Sequence, residues 1–169
     1  MLKCNLYLLG FMGSGKSYVG KALAKDLNVP FIDLDVFIEK AAECTISEIF
    51  ARKGEAYFRR LEANSLRQLK TANAVIALGG GTPCFLNNSA WIRENGDSFF
   101  LDVSMPLLIE RLRGETHKRP LLEGKSEAAL TLFMQKKLEE RHSFYTQATY
   151  IVKETSLPQI ILAIKEKML

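Results

Sequence analysis

Residues 10–17, GFMGSGKS, have the types and spacing that grip a phosphate. Gly10, Gly15, Lys16 and Ser17 complete the pattern G-x-x-x-x-G-K-S. Glycines let the backbone fold back so that successive N–H groups point into one small bowl. A helix starting near Lys16 adds the positive end of its dipole. In such a pattern the lysine reaches the β- and γ-phosphates of a nucleoside triphosphate, and the serine hydroxyl ligates Mg2+. Gly13, Ser14 and Tyr18 complete the expected nucleotide-binding set.

Two carboxylates follow in FIDLD, residues 31–35. In an extended chain Asp33 and Asp35 point to one side, while Ile32 and Leu34 point to the other. The carboxyl ends of strands in parallel α/β sheets face the ligand crevice, so both acids are expected near the phosphate loop. One can hold Mg2+ through water, and the other can accept a proton from an attacking hydroxyl. The structural alternative is an acidic strand end that starts the next helix.

In GEAYFRRLE, residues 54–62, the spacing of Glu55, Arg59 and Glu62 puts all three on one helix face. A surface salt-bridge ladder accounts for that stretch equally well. ALGGGT, residues 77–82, follows an apolar run; three glycines at a strand end suit close approach of backbone to a ligand. Arg141 lies on a helix leading toward the last strand. Arg119 falls in the polar segment 113–126, which reads as a mobile loop. An arginine swinging over the γ-phosphate neutralises charge during transfer, and closure keeps water from taking the phosphate. The residues alone lead to phosphoryl transfer onto a small anionic molecule that carries a hydroxyl group.

Other classes lack their signatures. Asn-Lys-x-Asp and Asp-x-x-Gly, which a GTPase uses for guanine and the γ-phosphate, are absent. The net charge of +4 is scattered among acids, with no basic–aromatic pattern, so no nucleic-acid partner is expected. No apolar stretch is long enough to span a bilayer. The glycine loop begins at residue 10, leaving no room for a signal peptide, and a cytosolic protein is expected. Cys4, Cys44 and Cys84 are too scattered for a disulfide framework or a zinc cluster. A monomer is expected, since no heptad seam is visible.

Short apolar runs at 4–9, 30–34, 74–78, 98–103 and 149–153 alternate with amphipathic helices, the pattern of a parallel α/β sheet. Val19, Leu23 and Leu27 share one face of the helix after the loop, which Asn28 and Pro30 stop. Thr45 and Glu48 form a capping box, and Gly54 ends that helix before a second one from about 55 to 69. A long helix is expected from Ser126 to about Phe144, and a last one follows Pro158.

Taken together and in order, GFMGSGKS, FIDLDVFIE, the G-E-x-x-F-R-x-x-E pattern at 54–62, ALGGGT, RPLL and the L-x-x-R-x-x-x-Y stretch at 138–145 resemble the shikimate kinase family over nearly the whole chain. The resemblance implies a single kinase domain over 1–169. Its fold would be a three-layer α/β/α P-loop kinase type with a five-stranded parallel sheet. A mobile lid would cover about 113–125, and an acceptor-binding helical region about 34–60. It implies transfer of the γ-phosphate of ATP to the 3-hydroxyl of shikimate with Mg2+. Asp35 would bind the substrate hydroxyls and act as base, with Lys16 and Arg119 assisting at the phosphates. Arg59 and Arg141 would clamp the carboxylate, a task suited to planar guanidinium groups. Gly80 and Gly81 would approach the substrate, and Asp33 would assist Mg2+ beside Ser17. Arg111 and Arg113 compete for the adenine, with Arg113 favoured, and the second adenine wall is expected near 156–158.

Overall fold

Strand β1 (Asn5–Leu9) lies at the centre of a five-stranded parallel sheet of order β2-β3-β1-β4-β5. The computed structural model describes residues 3–112, 127–153 and 156–168. The other strands are β2 (Phe31–Asp33), β3 (Val75–Ala77), β4 (Gly96–Leu101) and β5 (Tyr150–Val152). All five expected strands are present, their ends shifted by at most two residues.

Alternation along β1 builds two cores at once. Leu6 and Leu8 join one apolar cluster and Tyr7 and Leu9 the other, all four buried. A strand covered on both faces reads as an unbroken apolar run, as this one does. Helices α1 (Lys16–Leu27) and α7 (Leu157–Lys167) pack on the first face. The second is covered by α2 (Leu34–Ala42), α3 (Ile46–Gln68) and α4 (Asn88–Asn95). The result is the expected three-layer α/β/α arrangement. Helices α5 (Met105–Leu112) and α6 (Glu127–Tyr145) enclose a third cluster with Phe11 and Phe100.

The caps follow the sequence signals. Asn28 ends α1 in the left-handed conformation, its N–H directed at the Ala24 and Lys25 carbonyls. Thr45 Oγ1 accepts from the Glu48 N–H at 3.2 Å, and Glu48 Oε2 accepts from the Thr45 N–H at 2.8 Å, closing the capping box of α3. The α3 backbone leaves helical geometry at Gly54, so the two expected helices are two arms of one kinked element. Ser126 and the proposed lid lie outside the described residues.

The chain passes from β1 to the sheet edge at β2, returns through β3, then crosses β1 to β4 and β5. The order therefore reverses around β1, and ligands of open α/β sheets bind at such a reversal, beyond the carboxyl ends of the strands. The phosphate loop sits there.

Gly96 pairs with Asn5 where β4 begins. A Cβ on Gly96 would lie 2.2 Å from the Asn5 carbonyl oxygen, a backbone atom that cannot swing aside. Overpacking of this kind costs about 1–3 kcal/mol, and each kcal/mol lowers Tm by roughly 2–4 °C in a chain this long. Gly96→Ala is thus expected to melt several degrees earlier while nucleotide affinity is kept. Thermal unfolding beside a nucleotide-binding titration checks both halves.

Candidate active site

The loop between β1 and α1 doubles back at Gly13 (φ 79°) and Gly15 (φ 89°), the left-handed region that favours glycine. Lys16 folds over this bowl, its Nζ donating to the Gly10 carbonyl at 2.9 Å and the Phe11 carbonyl at 3.0 Å, with Ser14 Oγ at 3.4 Å. A cleft of about 710 Å³ opens over the loop, lined by residues 12–19 together with Asp33, Asp35, Gly79, Gly80, Arg111 and Leu157 among others. The last turn of α5 braces the loop. Arg111 Nη1 donates to the Gly13 and Ser14 carbonyls at 3.2 and 3.3 Å, and the Leu112 side chain packs against Gly13. Of the two arginines expected to compete for the base, Arg111 therefore lines the cleft. Arg113 and Arg119 lie outside the described residues. Leu157 and Ile160 line the cleft where the second adenine wall is expected.

The two acids meet at the cleft, but by a route that alternation does not describe. Strand β2 stops at Asp33 and α2 begins at Leu34, so Asp33 is the N-cap and Asp35 stands in the first helical turn. Asp33 Oδ1 accepts from the Asp35 and Val36 N–H groups at 3.1 and 3.4 Å, and its Oδ2 accepts from Ser17 Oγ at 2.5 Å. The extended-chain reading thus gives way to a cap: the side chain that ends β2 starts α2 and ties it to α1. Leu34 points into the core as expected.

Asp35 is pushed up to about 6 from its ordinary 3.8, first by burial, then by the charges of Glu62 and Asp33; Lys16 pulls the other way. A carboxylate raised toward neutrality is matched to accepting a proton from an alcohol. Gly79 makes the crowding possible, because a Cβ there would lie within 3.0 Å of Asp35 Oδ1, Glu62 Oε1 and Thr82 Oγ1.

Arg59 and Glu62 form no surface ladder. Arg59 Nη1 donates to Glu62 Oε2 at 2.9 Å, and Glu62 is 1% exposed. The same guanidinium reaches Glu55 Oε1 through Nε and Nη2 at 3.2 and 3.0 Å and lies over the Phe85 ring at 4.3 Å. Gly81 lets the guanidinium lie this close, since a Cβ would sit 2.7 Å from both terminal nitrogens and push it away. Arg141 approaches the same glycines from α6, its Nη1 3.6 Å from where a Gly80 Cβ would be. It joins no salt bridge to a carboxylate among the described residues. Two cations from different helices thus flank one glycine turn. Tyr145, fully buried and stacked on Phe100, donates its hydroxyl to the Gly80 carbonyl and holds that turn.

Sequence reasoning missed the parts played by Gly79, Thr82 and Tyr145. Tyr145 ends the stretch quoted above, but nothing in its spacing announces a bond to Gly80. Cys84 lies near both arginines; burial pushes its thiol up to about 11, so it stays protonated.

The sequence model of the shikimate kinase family matches residues 12–168. The shikimate kinase of Bacteroides thetaiotaomicron is 45% identical over 153 residues, covering 90% of this chain and 87% of that one. A crystal structure of shikimate kinase from that organism superposes with a TM-score of 0.92 at 40% identity, covering 98% of each chain. Shikimate kinase from Acinetobacter baumannii, solved in complex with shikimate, gives 0.86 at 31% identity over 97% of this chain and 90% of that one. A gluconokinase from Sinorhizobium meliloti, with a TM-score of 0.57 and 18% identity, shares the fold alone.

Folded Asp35 keeps its proton to higher pH than an unfolded aspartate. The stability this lends is fully present below 3.8 and is lost as pH rises through about 6, so ionised Asp35 costs stability at pH 7. Carbon-13 NMR is expected to show Asp35 titrating near 6 and returning toward its ordinary range in Glu62→Gln. Asp35→Asn is expected to melt roughly 2–4 °C higher at pH 7 for each kcal/mol relieved, with the difference shrinking as pH falls through about 6 and nearly gone by pH 4. A normal carboxylate titration and an unchanged melt would contradict the crowding.

Proposed function

The chain belongs to the shikimate kinase family, and from that premise we propose how its own residues carry the family's reaction. The γ-phosphate of ATP passes to the 3-hydroxyl of shikimate, giving shikimate 3-phosphate and ADP, a step toward the aromatic amino acids. One juxtaposition supports the assignment of roles most directly. Lys16 and Asp35 line a single cleft, and Arg59 and Arg141 flank the glycine turn at one end of it.

In this reading Arg59 and Arg141 hold the acceptor's carboxylate. Gly80 and Gly81 leave room for its ring, and Asp35 takes the hydroxyl proton as the new O–P bond forms and the bond from the γ-phosphorus to the β–γ bridging oxygen breaks. Lys16, the loop N–H groups of residues 13–18 and the dipole of α1 stabilise charge on the phosphates. Arg119 closes over them, and Arg113 or Arg111 packs on the base. Mg2+ supplies further charge neutralisation when bound. Ser17 Oγ and Asp33 Oδ2, already in contact, are a donor set that fits it: Mg2+ keeps several waters and takes one or two protein oxygens beside the phosphates. Residues 34–60, the α2 helix and the first part of α3, serve as the acceptor-binding region of one kinase domain over 1–169. The proposed setting is the cytosol, as a monomer without a nucleic-acid partner; three unpaired thiols fit a reducing compartment. Among the described residues no helix is long and apolar enough to cross a membrane.

ADP release from Mg-ATP, measured with shikimate, gluconate and a nucleoside monophosphate in parallel, is expected to rise with shikimate alone. Arg141→Ala is expected to raise the KM for shikimate roughly tenfold or more, the worth of a charged hydrogen bond, while the KM for ATP stays within about twofold. Equal rises in both would contradict a carboxylate clamp.

A further inference from the structure

Thr82 is fully buried beside the acceptor end of the site, and its Oγ1 donates to Glu62 Oε1 at 2.6 Å. Glu62 turns its other oxygen to Arg59. Thr82 is itself held from two directions. Its N–H meets the Gly79 carbonyl at 3.1 Å, and its carbonyl accepts from Asn88 Nδ2 at 2.8 Å. Asn88, buried at the start of α4, presents Oδ1 to Arg67 Nη1 at 2.8 Å, and Arg67 Nη2 reaches the Leu86 carbonyl at 3.0 Å. Arg59, Glu62 and Arg67 all stand on α3. The bonds therefore close a ring, leaving α3 at Arg67, running through Asn88 and Thr82, and returning to α3 at Glu62.

We propose that Thr82 is a positioning residue for acceptor recognition: its hydroxyl fixes the carboxylate of Glu62, and through it the orientation of the Arg59 guanidinium. The terminal torsion of a glutamate is soft and nearly two-fold. With one oxygen held by Thr82, only the other faces Arg59. Without that hydroxyl, Glu62 is free to rotate and to take the guanidinium in a two-oxygen fork, drawing it off Gly81. The ATP end of the cleft is not touched by this ring, so the effect is confined to the acceptor.

The inference rests on the reading of Arg59 as a ligand of the shikimate carboxylate, so Arg59→Ala is measured beside it. Thr82→Val removes the hydroxyl at nearly constant shape, Thr82→Ala removes it with room for water, and Thr82→Ser keeps it. Steady-state kinetics are expected to show the KM for shikimate raised about tenfold, the scale of a lost charged hydrogen bond, in Val, or in Ala should Val not fold. The KM for ATP stays within about twofold, and Ser behaves as the parent. A shikimate KM unchanged in Val and Ala, or equally raised in Ser, overturns the proposal. If Arg59→Ala also leaves that KM unchanged, the clamp reading fails with it; if Arg59→Ala raises it, the role of Thr82 alone falls.

Discussion

A buried ion pair, Arg59 with Glu62, is the constraint on which the acceptor end of this site depends. Taking both charges out of water costs several kcal/mol per ion unless the geometry and further hydrogen bonds offset it. Here they do: Glu62 has a partner on each oxygen, and Arg59 has Glu55, Phe85 and the bare backbone of Gly81 around it. The pair fixes a guanidinium that would otherwise sample many rotamers. It also leaves a negative charge beside Asp35, which, with burial, keeps that aspartate poised near neutrality. In the proposed mechanism one arrangement serves both recognition and proton transfer, at a cost to stability of the kind common at functional sites.

A second carboxylate joins the two halves of the cleft. Asp33 ends β2, caps α2 and accepts from the first helical serine of α1. The helix that carries the phosphate loop and the helix that carries Asp35 are therefore tied to one side chain. The phosphate loop and Asp35 are thus positioned by the same short segment, where the strand order reverses and the sheet leaves a crevice.

The fold was legible because its signals are local. Buried parallel strands are unbroken apolar runs, Thr45 and Glu48 close a box within one turn, and the phosphate loop is a contiguous pattern. The site was legible in its residue types but less so in its geometry. Alternation places Asp33 and Asp35 on one side of an extended chain, whereas cap chemistry ends that strand between them. Burial decides whether Arg59 and Glu62 are a surface ladder or a core pair, and that burial comes from Gly79, Gly81 and Thr82, some twenty residues away. No periodicity within residues 54–62 carries that information. The bond from Tyr145 to Gly80 spans sixty-five residues and is silent in sequence for the same reason.

In the proposed mechanism two guanidinium groups hold the acceptor by its carboxylate and so bring its hydroxyl to Asp35. The most direct measurement compares kcat/KM for shikimate and for its methyl ester, which keeps the ring and hydroxyls and loses the charge. A fall of about a hundredfold or more with the ester, as two charge-assisted contacts imply, is the predicted result. Comparable values for acid and ester would contradict the account and leave Arg59 and Arg141 without the role given to them.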